Sequence, residues 1–141
     1  MDKPGTDQAA GLRRLLGQTG GLQVITVMSG QKGAGKTTAT ANLAAALARA
    51  GRDVLIIDQA RHGRGAAAAL GLTPLHDVSD VLAGRCALED LILTGPDNVQ
   101  VLPIGGGFTR LGRLSERDQD WLAASFDRLH CGVDMVLVDM E

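Results

Sequence analysis

The sequence predicts an α/β fold in which a mostly parallel sheet is flanked by helices. Four apolar runs of strand length do not alternate with polar residues, which is typical of strands covered on both faces. Segments with helical spacing lie between these runs, so neighbouring strands should be parallel and joined by right-handed crossovers. Aromatic residues make up only 2% of the chain. The core is therefore expected to consist of Val, Leu, Ile and Ala.

The predicted elements follow the order strand, helix, strand, helices, strand, helix, strand. Strands are expected at residues 22–28, 53–58, 98–104 and 133–139. Helices are expected at 37–50, 66–70 and 115–130, and a helical segment at 76–93 should break at Gly84. Residues 1–21 are predicted to be a flexible segment with a short helix at 7–16, and residues 22–141 a single domain. Since the sequence ends just after a strand, we expect it to be an N-terminal fragment of that domain.

The composition excludes several classes of protein. A net charge of −2 and the scarcity of aromatic residues give no direct signal for nucleic-acid binding. No run of about 18 apolar residues predicts a transmembrane helix, and the polar N-terminus lacks the apolar core of a signal peptide. The two cysteines are far apart in sequence and are expected to be reduced thiols. These features favour a cytoplasmic location.

The motif with the clearest chemistry is Gly30-Gln-Lys-Gly-Ala-Gly-Lys-Thr37, which fits the pattern GxxxxGKT. It lies between a predicted buried strand and a helix, where backbone amides and the helix N-terminus can converge on phosphate. In such a loop the lysine, here Lys36, reaches the β- and γ-phosphates, and the threonine hydroxyl, here Thr37, binds Mg²⁺. The fold is therefore predicted to be that of a P-loop NTPase with ATP and Mg²⁺ as ligands. The expected nucleotide contacts are Gly30, Gln31, Lys32, Gly33, Ala34, Gly35, Lys36, Thr37 and Thr38.

Two aspartates end predicted strands and should lie beside this loop. Asp139 closes the run VLVD and is predicted to hold Mg²⁺ together with Thr37. Asp58 closes the run VLIID, and both carboxylates should emerge at the carboxyl edge of a parallel sheet. For Asp58 two interpretations stay open: a catalytic role near Mg²⁺ or the attacking water, together with Lys36, or stabilisation of the following loop.

The stretch from Val24 to Asp58 resembles the opening strand, P-loop, helix and second strand of the MinD/ParA family of deviant Walker-A ATPases. Within that family the chain is most similar to the FlhG (FleN) subfamily of MinD-like regulators of flagellar number and placement. The segment DQAAGLRRL at 7–15 is similar to the N-terminal DQAxxLR element of that subfamily, and residues 76–107 are similar to its middle section.

This resemblance implies several partners. The N-terminal element implies contact with an SRP-type flagellar GTPase (FlhF-like) and stimulation of its GTP hydrolysis, through Asp7, Gln8, Leu12 and Arg13. The resemblance to the family as a whole also implies an ATP-dependent homodimer. Peripheral binding to the inner membrane is implied through an amphipathic helix that would follow the present sequence.

Three positions depart from the family pattern. The family's first P-loop lysine, which reaches the partner's phosphate in the dimer, is replaced by Gln31, with Lys32 one place later. The second aspartate of the family's DxD sequence, which positions the attacking water, is replaced by Ala60, which cannot accept a proton. Gly65 stands where the family usually has asparagine. We therefore expect intact nucleotide binding with weak ATPase activity.

Three alternatives remain open from the sequence. The first is a nucleotide-binding scaffold with impaired hydrolysis, which Gln31 and Ala60 favour. The second is a ParA-like partition ATPase that acts on DNA, which would need a basic surface elsewhere. The third, a P-loop kinase or ligase, would leave the N-terminal element unexplained.

Overall fold

A computed structural model describes residues 22–28, 30–31, 33, 35–60, 64–105, 115–129 and 132–140. Its strands are β1 (Gln23–Val27), β2 (Val54–Asp58), β3 (Leu93–Thr94), β4 (Gln100–Pro103) and β5 (Met135–Asp139). Its α-helices are α1 (Lys36–Arg49), α2 (Ala66–Ala69), α3 (Val78–Leu82) and α4 (Glu116–Leu129). Two 3₁₀ turns are formed by Leu88–Leu91 and Pro96–Asn98. The predicted N-terminal helix at 7–16 lies outside the described residues.

The described strands form one sheet in the order β1-β5-β2-β4-β3. β1, β5, β2 and β4 pair in parallel, and only the two-residue strand β3 is antiparallel to its neighbour β4. The prediction of a mostly parallel sheet is therefore confirmed. Every residue of β2 and of β5 is buried, as expected of apolar strands covered on both faces.

Helices pack on both faces of the sheet. On one face the alanine-rich helices α1 and α2 place Ala44, Ala66 and Ala67 against Ile56 and Leu137. Small side chains at these helix positions allow the helix backbones to lie close to the strands. On the opposite face α3 and the turn Leu88–Leu91 cover alternate residues of the same strands, and Leu129 of α4 packs against this cluster.

The prediction of full coverage is wrong for β1. Its Val24 and Ile25 are 38% and 39% exposed, because β1 is an edge of the described sheet and pairs with β5 alone there. The two side chains point to opposite faces of the sheet, since successive residues of a strand alternate. Both faces of this edge strand are therefore open within the described residues.

The segment between α2 and β4 differs from its prediction in two respects. The helical segment predicted at 76–93 begins only at Val78, and its second piece is the 3₁₀ turn Leu88–Leu91. The strand predicted from residue 98 begins at Gln100, because Asp97 and Asn98 adopt left-handed conformations with φ of 57° and 60°. This turn reverses the chain and creates the antiparallel β3–β4 pair. Among the helices that the structure describes, none has the length and hydrophobicity needed to cross a bilayer.

Candidate nucleotide-binding site

The parallel strands bring the ends of β1, β5 and β2 side by side at one edge of the sheet. Val27 pairs in register with Asp139, and Asp139 pairs in register with Asp58. Both carboxylates are almost fully buried, at 2% and 3% exposure. The prediction that Asp58 and Asp139 meet at this edge is thus confirmed by the register.

The glycine-rich loop leads from this edge into α1. Gly33 and Gly35 have φ of 78° and 80°, a conformation that side chains disfavour. Among the described residues none has an atom within 4 Å of a Cβ built on either glycine, so this part of the chain leaves the space beside the loop open. Helix α1 begins at Lys36, directly after Gly35, and its first turn contains no acidic residue. Its free amides and positive dipole end therefore favour an anion at this point.

Asp139 joins the sheet edge to the start of α1. The Thr37 hydroxyl donates a hydrogen bond of 3.0 Å to Asp139 Oδ2. The Lys36 ammonium lies 3.5 Å from Asp139 Oδ1, within ion-pair distance. That buried Oδ1 atom accepts no hydrogen bond from the described residues. A buried carboxylate oxygen with an ion-pair contact but no hydrogen bond has capacity for a further cationic ligand.

Asp58 faces its own loop instead. Its Oδ1 accepts a hydrogen bond from the Ala60 amide, and its Oδ2 accepts one from the Ala67 amide, both at 3.0 Å. Burial raises the pKa of the Asp58 carboxyl above its usual value, against the opposing effect of these two amides. The nearby carboxylate of Asp139 raises it further, and Lys36 lowers it.

Gly65 lies directly against this carboxylate. A Cβ built at position 65 would collide with both oxygens of Asp58. The backbone at Gly65 has φ of −99° and ψ of −163°, an extended conformation open to any residue. The need for glycine here therefore arises from the space that Asp58 occupies and not from the backbone conformation.

A small cleft lies beside Asp58 and the residues that contact it. Its volume is about 20 Å³, which is room for about one water molecule. Its lining includes Ala60, Gly65, His76, Asp77 and Gly105. His76, to which no sequence motif assigned a role, also lies 3.5 Å from the carboxylate of Asp80.

The described residues fit a nucleotide with Mg²⁺. Lys36 and Thr37 converge on Asp139, while Gly33 and Gly35 leave the adjacent space open. Within the described part of the chain no group of three or more His, Cys, Asp or Glu side chains could hold a metal by itself. Mg²⁺ at phosphate sites takes few protein ligands and several from phosphate and water.

The remaining predicted site residues lie in the glycine-rich loop, in α1 or outside the described residues. Gln31 and Thr38 are exposed, Gln31 in the glycine-rich loop and Thr38 in the first turn of α1. A Cβ added at Gly30 would likewise meet no atom of the described residues within 4 Å. The other predicted contacts lie outside the described residues: Lys32, Ala34, Asp7, Gln8, Leu12 and Arg13.

Sequence reasoning did not identify the contact between Gly65 and Asp58. A glycine at the N-cap of α2, where Ser, Thr, Asn or Asp are preferred, was the available signal. Such a glycine cannot cap the helix with its own side chain, so any side-chain acceptor for the first amides comes from another residue.

Comparison with known proteins agrees with this geometry. The profile of the family described as CobQ/CobB/MinD/ParA nucleotide binding domain matches residues 25–135. Antiactivator FleN of Pseudomonas aeruginosa is 37% identical over 118 residues, which cover 84% of this chain and 42% of FleN. The chain therefore spans less than half the length of this relative.

Two solved structures share the fold. Cobyrinic acid a,c-diamide synthase from Mycobacterium smegmatis, with bound ATP analog and magnesium, has a TM-score of 0.65 at 26% identity, covering 84% of this chain and 50% of that one. The septum site-determining protein MinD from Pyrococcus horikoshii, complexed with Mg-ADP, has a TM-score of 0.59 at 31% identity, covering 85% and 49%. By its sequence profile and its fold, the chain belongs to the CobQ/CobB/MinD/ParA family of nucleotide-binding domains.

Proposed function

We propose that this chain is the nucleotide-binding part of a MinD-like ATPase and binds ATP with Mg²⁺ between Gly30 and Thr37. The observation that carries this proposal is the convergence of Lys36 and Thr37 on the buried carboxylate of Asp139. The solved relatives that hold an ATP analog or ADP with magnesium support the same ligands.

In this proposal each residue has a separate task. The backbone amides of the glycine-rich loop and the start of α1 receive the phosphates, and Lys36 neutralises part of their charge. Thr37 and Asp139 are the side chains that would hold Mg²⁺. Bound Mg²⁺ would supply charge neutralisation at the phosphates. Because Lys36 is paired with Asp139 at 3.5 Å, nucleotide binding must compete with this ion pair for the ammonium group.

The proposal is tested by replacing Lys36. Lys36→Ala in the full-length protein should reduce the affinity for ATP·Mg²⁺ at least about 100-fold, because a charge-assisted contact to phosphate is lost. Titration calorimetry measures this, with Arg52→Ala as the control, since Arg52 is an exposed cation after the opposite end of α1. Retained affinity in Lys36→Ala would refute the nucleotide-binding assignment.

We further propose that the whole protein is an ATP-dependent switch that regulates flagellar number and placement. Similarity to the antiactivator FleN supports this, as does the DQAxxLR-like segment at the N-terminus. ATP would favour a homodimer at the inner membrane. The segment that contains Asp7, Gln8, Leu12 and Arg13 would then act on an SRP-type GTPase like FlhF. Hydrolysis of ATP would reset the switch.

The role of the N-terminal segment has its own test. The triple variant Gln8→Ala, Leu12→Ala, Arg13→Ala should bind ATP with unchanged affinity and fail to stimulate GTP hydrolysis by the partner GTPase. Measuring both in the same preparation separates partner contact from nucleotide binding. If stimulation persists in the triple variant, the segment does not contact the GTPase.

A second candidate is a nucleotide-binding scaffold that hydrolyses ATP very slowly or not at all. Ala60 has no side-chain group that could orient water, and the oxygens of Asp58 accept hydrogen bonds from the amides of Ala60 and Ala67. Both carboxylate oxygens at the end of β2 therefore already accept hydrogen bonds. Rates of ATP turnover distinguish the two candidates.

A further inference from the structure

We propose that Asp58 is a positioning residue that clasps the loop between β2 and α2 at both of its ends, and that glycine at position 65 is required for this clasp. The clasp goes beyond the proposed nucleotide function, because its contacts join residues of the chain to one another. It favours one of the two interpretations that the sequence left open for Asp58, the stabilisation of the following loop.

The hydrogen bonds of Asp58 define the clasp. One oxygen accepts from Ala60, two residues after Asp58, and the other accepts from Ala67, nine residues after it. A single carboxylate therefore ties the beginning of the loop to the first turn of α2. Because the carboxylate is 3% exposed, water competes poorly for these amides.

The contact with Ala67 replaces an ordinary helix cap. Gly65 occupies the N-cap position of α2 and has no side chain that could accept from the second or third amide of the helix. Ala67 is the second residue of α2, and its amide donates a hydrogen bond to the Asp58 carboxylate. The cap of this short helix is therefore supplied by a residue on the neighbouring strand.

Gly65 makes room for that cap. Its extended backbone would accept any residue, yet a Cβ there would overlap the Asp58 carboxylate. A side chain at position 65 and the clasp therefore exclude each other. While the clasp is closed, the Asp58 carboxylate faces the loop, and Asp139 is the carboxylate in contact with Lys36 and Thr37.

A double-mutant cycle tests the mutual exclusion. Gly65→Ala is placed in the full-length protein and in its Asp58→Ala variant, and urea midpoints are measured without nucleotide. We expect the added methyl group to lower the midpoint in the first background. In the second it should leave the midpoint unchanged or raise it, since alanine at a compatible backbone conformation restricts the unfolded chain. A loss of equal size in both backgrounds would overturn the proposal.

A matched control separates this effect from general strain. Gly71 is exposed, has φ of 75° and has no atom within 4 Å of its Cβ position. Gly71→Ala should therefore lower the midpoint by similar amounts with and without Asp58, because its strain arises from the backbone alone. Alanine at position 65, in contrast, should lower the midpoint only when Asp58 is present.

Amide exchange reports on the clasp directly and does not require Asp58→Ala to fold. In Gly65→Ala, exchange at the Ala60 and Ala67 amides should accelerate at least about 10-fold, while amides of β2 and β5 keep their protection. Asp58→Asn should release one of the two amides, because an amide side chain has a single acceptor oxygen. Unchanged protection at Ala60 and Ala67 in Gly65→Ala would contradict the clasp, whatever the outcome for nucleotide binding.

Discussion

The hydroxyl of Thr37 donates a hydrogen bond of 3.0 Å to the carboxylate of Asp139, although the two residues are 102 positions apart in sequence. Thr37 belongs to the first turn of α1, and Asp139 is the last residue of β5. The contact therefore joins the helix that follows the glycine-rich loop to the edge of the sheet. It places a hydroxyl and a carboxylate, two oxygen ligands that suit Mg²⁺, at the start of the proposed phosphate site.

Asp139→Asn should weaken the dependence of ATP binding on Mg²⁺. Asparagine keeps a neutral oxygen but loses the negative charge, so Mg²⁺ is held less strongly. The loss of charge also frees Lys36 from its ion pair, so affinity in EDTA should be equal or higher. A hydrogen bond or contact that involves a charged group contributes about 1.5–3 kcal/mol, or about 10- to 100-fold in affinity. Calorimetry with and without Mg²⁺ measures the ratio of the two affinities, which should fall by about that factor.

Asp53→Asn is the matched control for this prediction. Asp53 is exposed and precedes the first residue of β2, at the end of the strand opposite Asp58. Its replacement should leave the Mg²⁺ dependence unchanged. Equal ratios in wild type and Asp139→Asn would show that Asp139 does not hold the metal.

The double variant Gln31→Lys, Ala60→Asp should gain ATPase activity. An acidic side chain at position 60 can orient or deprotonate water, and such groups contribute about 10²- to 10⁴-fold to rates. The contact with Asp58 is made by the backbone amide of residue 60, so the substitution should retain it. Steady-state phosphate release by the full-length protein, with lipid vesicles present, measures the gain.

The single variants Gln31→Lys and Ala60→Asp are measured beside the double variant, and Lys36→Ala is added to the double variant as a control. Lys36→Ala in the double variant should return phosphate release to background, which shows that the activity comes from this site. A wild-type protein that already matches the double variant would mean that other residues replace Gln31 and Ala60. In that case the switch would run an ordinary ATP cycle.

The sequence predicted the sheet and the residues at its edge because both depend on local patterns. The runs that became β2 and β5 are apolar throughout, and each ends in an aspartate. Parallel pairing then brings Asp58 and Asp139 together without further information. The motif likewise predicted the position of Thr37 near Asp139.

The parts that could not be predicted depend on orientation and on short elements. Whether Asp58 faces Lys36 or its own loop depends on the space at Gly65, and the glycine at the N-cap of α2 was its only sequence signal. Strand β3 has two residues, fewer than any periodicity can reveal, and follows from the left-handed pair Asp97 and Asn98. Asp and Asn tolerate that conformation, so this pair was the available turn signal.

Leu102→Ala should strongly destabilise the protein. Leu102 lies in β4, is fully buried and packs between the strands and α3. Removal of a buried leucine side chain leaves a cavity and costs about 2–5 kcal/mol of unfolding free energy. Urea denaturation followed by circular dichroism measures this loss.

Leu75→Ala provides the same chemical change without burial. Leu75 is 83% exposed, so its replacement should change the unfolding free energy by no more than about 0.5 kcal/mol. If both variants lost similar amounts of unfolding free energy, Leu102 would not be a core residue.

Asp80→Asn should reduce stability at neutral pH and have little effect in acid. The Asp80 carboxylate accepts a hydrogen bond from the Asp77 amide and pairs with Arg85, at 2.9 and 2.7 Å. The Asp77 amide, then Arg85 and with a smaller effect His76, hold the pKa of Asp80 below its ordinary value.

The sign of the pH dependence follows from that lowered pKa. A carboxyl that titrates at lower pH in the folded state contributes stability above its unfolded pKa of about 3.9 and loses it as the pH falls through the folded value. The melting temperatures of wild type and Asp80→Asn should therefore differ at pH 7 and approach each other as the pH falls below the unfolded pKa of about 3.9. Arg85→Ala removes one of the causes of the lowered Asp80 pKa. Its melting temperature at pH 7 should therefore differ from that of wild type by less than that of Asp80→Asn does, and high salt should reduce this difference. A difference between wild type and Asp80→Asn that stays constant from pH 7 to pH 3 would show that packing, and not the ionised carboxylate, stabilises the start of α3.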